Sequence, residues 1–272
     1  MPYRLRVLRR GGEGADGTPV LLLHGFTGCA EVWGEGILVG LAREKRVLAV
    51  DLPGHGESPR SNDPARYDFE GVLAELLEVL DREGVASADW VGYSMGGRLS
   101  LGAAVLHPDR VRRLVLESTS PGLATPEERS RRRRMDEGLA RRLESEGMER
   151  FVGAWMGQPL FASQARLPGT VLRDAHRRRL RNDPNSLAAC LRGMGTGSQP
   201  SFWDQLPEVR AETLLLTGVL DPKYEELARR MALRLPTVRH VSVPDAGHAV
   251  HLEAPRAWME SVLPFLSDPS EP

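Results

Sequence analysis

The stretch Val91-Gly92-Tyr93-Ser94-Met95-Gly96-Gly97-Arg98 decides the fold. It contains a Gly-x-Ser-x-Gly motif, which directly follows an apolar run and directly precedes a segment with apolar residues at helical spacing. Glycines lack a Cβ atom, so they allow the sharp strand-to-helix turn that exposes a reactive serine above a sheet. The motif alone is also compatible with a glycine-rich surface turn. The other segments of the chain decide between these two interpretations.

Length and composition restrict the possible classes of protein. The 272 residues are 41% apolar, which suits one large α/β domain or one domain with an insertion. The net charge of −1 gives no reason to expect a nucleic-acid or membrane-surface partner, and no apolar run is long enough for membrane insertion. Cys29 and Cys190 lack metal-ligand spacing, which indicates a reduced, cytoplasmic protein without a metal site. The alternating start, Met1 to Arg10, predicts a strand and not a signal peptide.

Short apolar runs alternate with segments of helical periodicity in the first and last parts of the chain. This alternation predicts a mostly parallel central sheet flanked by helices on both faces. The predicted strands cover residues 3–8, 20–23, 46–50, 88–91, 111–116, 212–216 and 238–243. The predicted helices cover residues 32–41, 67–83, 225–235 and 256–266, with a turn at 11–14 and a loose tail at 267–272.

The alternation stops between Pro121 and Trp203, where helical periodicity continues without buried strands. This part also carries a basic run, Arg129 to Arg134. We expect a core domain formed by residues 1–120 and 205–272, and a helical lid formed by residues 121–204.

Two further polar residues follow strands that come late in the chain. Asp221 follows the predicted strand 212–216, and His248 follows the strand 238–243. Active sites of open α/β sheets lie at the carboxyl ends of strands, and the order Ser94, Asp221, His248 is that of α/β-hydrolases. Alone, Asp221 could be a helix cap and His248 a turn residue. Together with the serine they predict a catalytic triad on an α/β-hydrolase fold, with Asp245 as a competing carboxylate of loop function.

An oxyanion hole requires backbone N–H groups beside the serine. The loop after the second predicted strand supplies the N–H of Phe26, and the residue after the serine supplies that of Met95. The histidines of neighbouring loops, His24 and His55, are expected to be structural. The remaining histidines are expected at the surface or in packing; they are His107, His176, His240 and His251.

Arg98 lies one helical turn after Ser94, so both side chains project on the same side of the predicted helix. A guanidinium beside the reacting centre indicates a substrate that carries a carboxylate. The alternative is an arginine that extends outward to solvent. The basic run and Arg181 offer further candidate cations in the lid, although most charge runs are solvated helix faces.

Several motifs together resemble the 2-succinyl-6-hydroxy-2,4-cyclohexadiene-1-carboxylate synthase family of menaquinone biosynthesis. The general α/β-hydrolase motifs are shared by many enzymes, whereas the lid motifs and the string Tyr-Ser-x-Gly-Gly-Arg distinguish this family from other α/β-hydrolases. The matching pieces are 24–28 with Trp33, 51–56, 92–98, 117–123, 129–136, Trp155 with 158–161, 181–182, 195–200, 221–224 and 247–248.

The resemblance implies a cofactor-independent lyase that removes a proton from a small substrate with several carboxylates and expels pyruvate. It also implies that Ser94 acts as the base, activated by His248 and Asp221. The substrate contacts that it implies are Tyr93, Arg98, Trp155, Arg181 and one arginine of the basic run, for which the best register gives Arg132.

Two other functions remain open at this stage. A serine hydrolase that forms an acyl-enzyme, either a carboxylesterase or a carbon–carbon bond hydrolase, would carry the same triad. A non-catalytic binding protein could use the same scaffold, although the complete triad is unfavourable to it.

Overall fold

The computed structural model describes residues 3–11 and 18–267. These residues form a seven-stranded central sheet. Its strand order is β1-β3-β2-β4-β5-β6-β7, with β1 antiparallel to β3 and all other neighbours parallel. The strands are β1 (Val7–Arg10), β2 (Val20–Leu23), β3 (Val47–Val50), β4 (Ala88–Tyr93), β5 (Val111–Glu117), β6 (Glu212–Gly218) and β7 (Val238–Val243).

The predicted strands are confirmed, with one shift at the edge of the sheet. The first strand was expected at 3–8 but covers Val7–Arg10, because pairing with β3 and not the local alternation sets its register. β2, β3 and β4 are buried along their whole length, as expected for parallel strands covered on both faces. The predicted turn at 11–14 and tail at 267–272 lie mostly outside the described residues.

Helices cover both faces of the sheet. α2, α3 and α7 pack on one face, whereas α1, α8 and α9 pack on the other. The helices of the α/β part are α1 (Gly34–Ala42), α2 (Phe69–Arg82), α3 (Met95–Leu106), α7 (Pro222–Ala232), α8 (Val250–Glu253) and α9 (Pro255–Leu266). Short 3₁₀ turns lie at Ala30–Trp33, Pro64–Tyr67, Pro108–Arg110 and Leu206–Glu208. α7 begins three residues earlier than predicted because Asp221 caps it and Pro222 occupies its first position.

Between β5 and β6 the chain forms helices without a strand, all within the described residues; residues 121–204 are called the insertion below. It contains α4 (Pro126–Met156), a 3₁₀ segment (Pro159–Arg166), α5 (Gly169–Leu180) and α6 (Pro184–Met194). α4 begins with a capping box between Thr125 and Glu128, and it is interrupted at Gly147, where φ is 75°. α4 and α6 pack on each other through a small apolar cluster.

None of the helices in the described part of the chain is both long enough and apolar enough to cross a bilayer.

Candidate active site

Ser94 occupies a strained turn between β4 and α3. Its φ of 51° is positive, which is uncommon for a residue with a side chain. The flanking glycines make this turn possible: a Cβ on Gly92 would lie 2.5 Å from the backbone of Gly96, and one on Gly96 would lie 2.1 Å from the oxygen of Leu23. The turn therefore has the geometry of a nucleophile elbow, with the serine held above the sheet.

The three residues of the predicted triad lie in one hydrogen-bonded line. His248 Nε2 is 3.1 Å from Ser94 Oγ, and His248 Nδ1 is 2.7 Å from Asp221 Oδ2. His248 and Asp221 are both buried. The other carboxylate oxygen of Asp221 accepts the N–H of Tyr224, so this residue also caps α7. Asp245, the competing carboxylate, is exposed in a turn.

The loop that carries Phe26 packs directly against the elbow. A Cβ on Gly25 would lie 2.6 Å from the Tyr93 ring and 3.5 Å from Ser94 Cβ. Met95 is the first residue of α3, so its N–H has no partner within the helix. Phe26, Ser94 and Met95 line the same cavity. This arrangement suits an oxyanion hole, whose role stays a prediction.

His24 and His55 are tied to backbone groups. His24 Nδ1 donates to the oxygen of Gly25 at 2.8 Å, and its Nε2 accepts the N–H of Leu52 at 3.1 Å. His55 Nδ1 donates to the oxygen of Pro53 at 3.0 Å. Burial lowers the pKa of both imidazoles, so both rings are neutral. Their role is structural, because their hydrogen bonds stabilise the loops that carry them.

A cavity of about 530 Å³ opens above Ser94, and Arg98 forms part of its wall. Arg98 is buried, and its Nη1 donates to the oxygen of Met194 and to Oε1 of Gln199, each at 2.9 Å. Both acceptors are neutral, and no carboxylate in the described part of the chain lies within ion-pair distance of Arg98. Burial lowers its pKa to about 10, so the guanidinium is still charged at neutral pH. The site therefore holds a positive charge without a counter-ion.

Of the five arginines in the basic run 129–134, Arg132 borders this cavity, whereas Arg129 donates to the oxygens of Leu123 and Ala124. Its Nε donates to Oδ1 of Asp136 at 2.7 Å, one helical turn along α4. Arg131, Arg133 and Arg134 are exposed. The structure therefore selects Arg132 as the residue of the run that faces the site.

Arg181 does not reach the site, which corrects the prediction made from the sequence. It is exposed at the carboxyl end of α5. Arg179 instead borders a smaller cavity of about 40 Å³ beside Ser94 and His248. Its Nε is buried without a hydrogen-bond partner among the described residues, and burial lowers its pKa. The physical reason is rotation, since two residues along a helix turn a side chain by about 200°.

Aromatic side chains enclose the reacting end of the cavity. Trp155 borders both cavities and packs edge-on against Phe26, with ring centres 5.2 Å apart. Tyr93 lies between the rings of His248 and His251, at 5.4 and 4.6 Å. Both residues therefore border the same small cavity as Ser94, and their contact with a substrate stays a prediction.

The chain is similar to known proteins in sequence and in structure. A family model for the alpha/beta hydrolase fold matches residues 18–255. The chain is 34% identical over 251 residues to 2-succinyl-6-hydroxy-2,4-cyclohexadiene-1-carboxylate synthase of Pectobacterium atrosepticum, covering 92% of this chain and 94% of that protein. It is 40% identical over 248 residues to a Bacillus subtilis protein that carries the same name provisionally, covering 91% and 90%.

The chain belongs to this synthase family of the α/β-hydrolase superfamily. A solved structure of MenH from S. aureus superposes on this member of the family with a TM-score of 0.90 and 32% identity, covering 98% of each chain.

Sequence reasoning missed two residues of the synthase cavity, Lys223 and Tyr224. The Tyr224 ring lies 4.6 Å from the His248 ring, and burial raises the pKa of its phenol, which stays protonated. Their position in the sequence could have indicated them, because both residues lie in the first turn of the helix that Asp221 caps.

One group of side chains within the described residues has metal-like spacing. Cys29, Glu31 and Asp51 offer ligand atoms within 4.8 Å of one another. Arg6 already pairs with Glu31 at 2.7 Å and with Asp51 at 3.5 Å. A resident cation beside that guanidinium would be repelled, so the group fits a structural ion pair better than a metal centre.

Proposed function

We propose that the protein converts 2-succinyl-5-enolpyruvyl-6-hydroxy-3-cyclohexene-1-carboxylate to 2-succinyl-6-hydroxy-2,4-cyclohexadiene-1-carboxylate and pyruvate, as a cofactor-independent lyase of menaquinone biosynthesis. Family membership supports this function. The observation that carries it is the hydrogen-bonded Ser94–His248–Asp221 line beside a cavity that is also lined by the unpaired Arg98. An acid–base group beside uncompensated positive charge fits elimination from a polyanion.

The bond changes follow from the names of substrate and product. A proton leaves ring carbon 2, which lies next to the succinyl carbonyl. The 2,3 double bond then forms, the 3,4 double bond moves to 4,5, and the bond from carbon 5 to the enolpyruvyl oxygen breaks. The leaving group departs as the enolate of pyruvate and takes up a proton, which balances the proton lost from carbon 2. We propose that Ser94 takes this proton after transferring its own to His248, while Asp221 stabilises the imidazolium. The N–H groups of Phe26 and Met95 would stabilise the negative charge on the succinyl carbonyl oxygen.

Substrate recognition depends on charge. The substrate carries three carboxylates, on the ring, the succinyl group and the enolpyruvyl group. We propose that Arg98, Arg132 and Arg179 bind them, with Arg179 replacing the expected Arg181. Tyr93 and Trp155 would enclose the reacting end and exclude water.

We further propose that residues 1–120 and 205–272 act as the core domain and that the insertion, residues 121–204, acts as its lid. Arg98 supports this division, because it belongs to α3 but is held by Met194 and Gln199 of the insertion. The two cysteines are buried thiols that make no disulfide, which supports work in the cytoplasm.

The triad also suits a second function, hydrolysis through an acyl-enzyme. The 3.1 Å separation of Ser94 Oγ and His248 Nε2 is as suitable for a nucleophile as for a base. The unpaired Arg98 favours the lyase, because a neutral ester would leave this guanidinium buried without a counter-ion.

Pyruvate release tests the choice. The precursor should be generated in situ, with pyruvate followed by a coupled assay. We expect one pyruvate per diene formed with the wild-type protein and a loss of release in Ser94→Ala. Absence of release by wild-type protein, together with a product burst from an activated ester and labelling of Ser94 by a fluorophosphonate, would establish the hydrolase instead.

A further inference from the structure

We infer that Glu117 and Glu253, two carboxylates outside the triad, position Ser94 and His248 relative to each other. The inference rests on the proposed role of the triad, and it assigns to these residues an action through other groups and not on the substrate.

The Glu253 carboxylate accepts hydrogen bonds from the backbone on both sides of His248. Its Oε2 accepts the N–H of Gly247 at 2.8 Å, and its Oε1 accepts the N–H of Ala249 at 3.1 Å. These two N–H groups flank the histidine along the chain. One carboxylate therefore fixes the peptide unit that directly follows His248 and the N–H of the residue before it, and charge-assisted bonds of this kind are strong.

Space around this segment is limited. A Cβ on Gly247 would lie 2.0 Å from Oγ of Ser163 in the insertion, so the backbone has little room on that side. Glu253, which lies five residues after His248 in the chain, accepts the N–H of this same glycine. The segment is therefore held between the insertion and this carboxylate.

Glu117 joins the serine element to the histidine element. Its main-chain oxygen accepts the N–H of Ser94 at 2.8 Å. Its buried carboxylate accepts the backbone N–H of His251 at 3.1 Å and its Nδ1–H at 2.7 Å, and also the Nε1–H of Trp258 at 2.9 Å. One residue thus bonds the elbow through its backbone and the segment after His248 through its side chain.

Ring contacts continue the same connection. The Tyr93 ring packs edge-on with the ring of His251, with centres 4.6 Å apart, and its centre lies 5.4 Å from that of the His248 ring. The Ser94–His248 distance is therefore set by packed and hydrogen-bonded groups around it. Misplacement of reacting groups by about 1 Å can reduce a rate roughly 100-fold.

Glu253 variants give the sharper test because this side chain is only half-buried. We expect Glu253→Ala to lower kcat for pyruvate release about 10- to 100-fold with KM within about twofold of wild type, because chemistry and not binding depends on the triad distance. Glu253→Gln keeps one acceptor oxygen, so its kcat should lie between those of the wild type and Glu253→Ala. Glu260→Gln is the matched control, since Glu260 pairs with exposed Arg256 on α9.

A spectroscopic measurement separates this inference from the proposed function. The His248 Nδ1 proton, bonded to Asp221, should give a downfield proton resonance that shifts or broadens in Glu253→Ala but not in Glu260→Gln. That change supports the inference even if wild-type protein releases no pyruvate. An unchanged resonance, or a loss of activity confined to KM, would overturn it. If Glu253→Ala does not fold, the same criteria apply to Glu253→Gln, and Glu117→Gln provides an independent second variant.

Discussion

The α/β part of the molecule and the insertion contribute different things to one cavity. Ser94, Asp221 and His248 all follow strands of the sheet, which supplies the reacting groups. The insertion, residues 121–204, contains fifteen arginines, no lysine and ten acidic residues, so it carries a net charge of +5 against −6 for the remaining residues. The comparison leads us to expect that the reacting groups come from the α/β part alone, whereas the cations come from both parts, with Arg98 in α3 and Arg132 in the insertion.

The two regions also differ in how firmly they are held. The central strands are fully buried between two large apolar clusters, whereas the insertion has a small cluster of its own. Its long helix is interrupted at Gly147. Regions with few buried apolar contacts open at lower free energy than a core. We therefore expect the insertion to adjust to a substrate more readily than the sheet does.

The largest effect is expected in the reacting groups. His248→Ala removes the group that activates Ser94, so kcat for pyruvate release should fall about 10³-fold or more. Substrate affinity should change little, because the cations remain. Binding of a non-reacting tricarboxylate by calorimetry, measured beside kcat, checks both parts. A comparable loss of binding would mean that the two contributions are not separate.

A matched pair in α5 tests recognition. Arg179→Met should reduce kcat/KM about 10- to 100-fold, because charged hydrogen bonds to carboxylates are worth roughly 1.5–3 kcal/mol. Arg181→Met should leave kcat/KM within about twofold, since Arg181 is exposed. Steady-state kinetics at constant ionic strength gives the comparison. The reverse order of effects would restore the assignment made from the sequence.

The pH dependence of KM sharpens the role of Arg98. Burial lowers the pKa of this guanidinium to about 10, so its charge is complete below that pH and is lost above it. The carboxylates of the substrate stay ionised throughout, and KM should therefore rise as the pH passes 10. Brief assays from pH 8 to 11 measure the rise. The same series on Arg98→Met should be flat in this range, and a rise that persists there would assign the titration to another group.

Two glycines of α4 give the smallest effects and test the interruption of the insertion. Gly147 has φ 75° and ψ 177°, and an added Cβ would touch nothing, so Gly147→Ala should cost only conformational energy, about 1–2 kcal/mol. Gly138 lies in regular helix with equally open space, so Gly138→Ala should stabilise by roughly 0.5–1 kcal/mol. Thermal unfolding should move in opposite directions, with kcat changed less than twofold. Equal shifts would show that no special conformation is needed at Gly147.

Much of the site followed from local sequence. The Gly-x-Ser-x-Gly turn needs its glycines wherever it occurs, and buried parallel strands require continuous apolar runs, so the order of elements and the position of Ser94 were predictable. Asp221 and His248 were predictable because each directly follows such a run. The selection of Arg132 came from resemblance, and its neighbours in the run are chemically identical.

The sequence by itself therefore determined the fold class, the order of the triad and the excess of arginine in the insertion. Only the tertiary structure decided which arginines reach the cavity, that Tyr224 lies against His248, and that Glu117 and Glu253 bond to the backbone around His248. The physical reason is the range of the interactions. Turns and apolar runs are fixed by neighbours along the chain, whereas the direction of a helical side chain depends on how the whole helix packs. Two side chains that are two residues apart on a helix point in nearly opposite directions, so one can face the cavity while the other faces solvent.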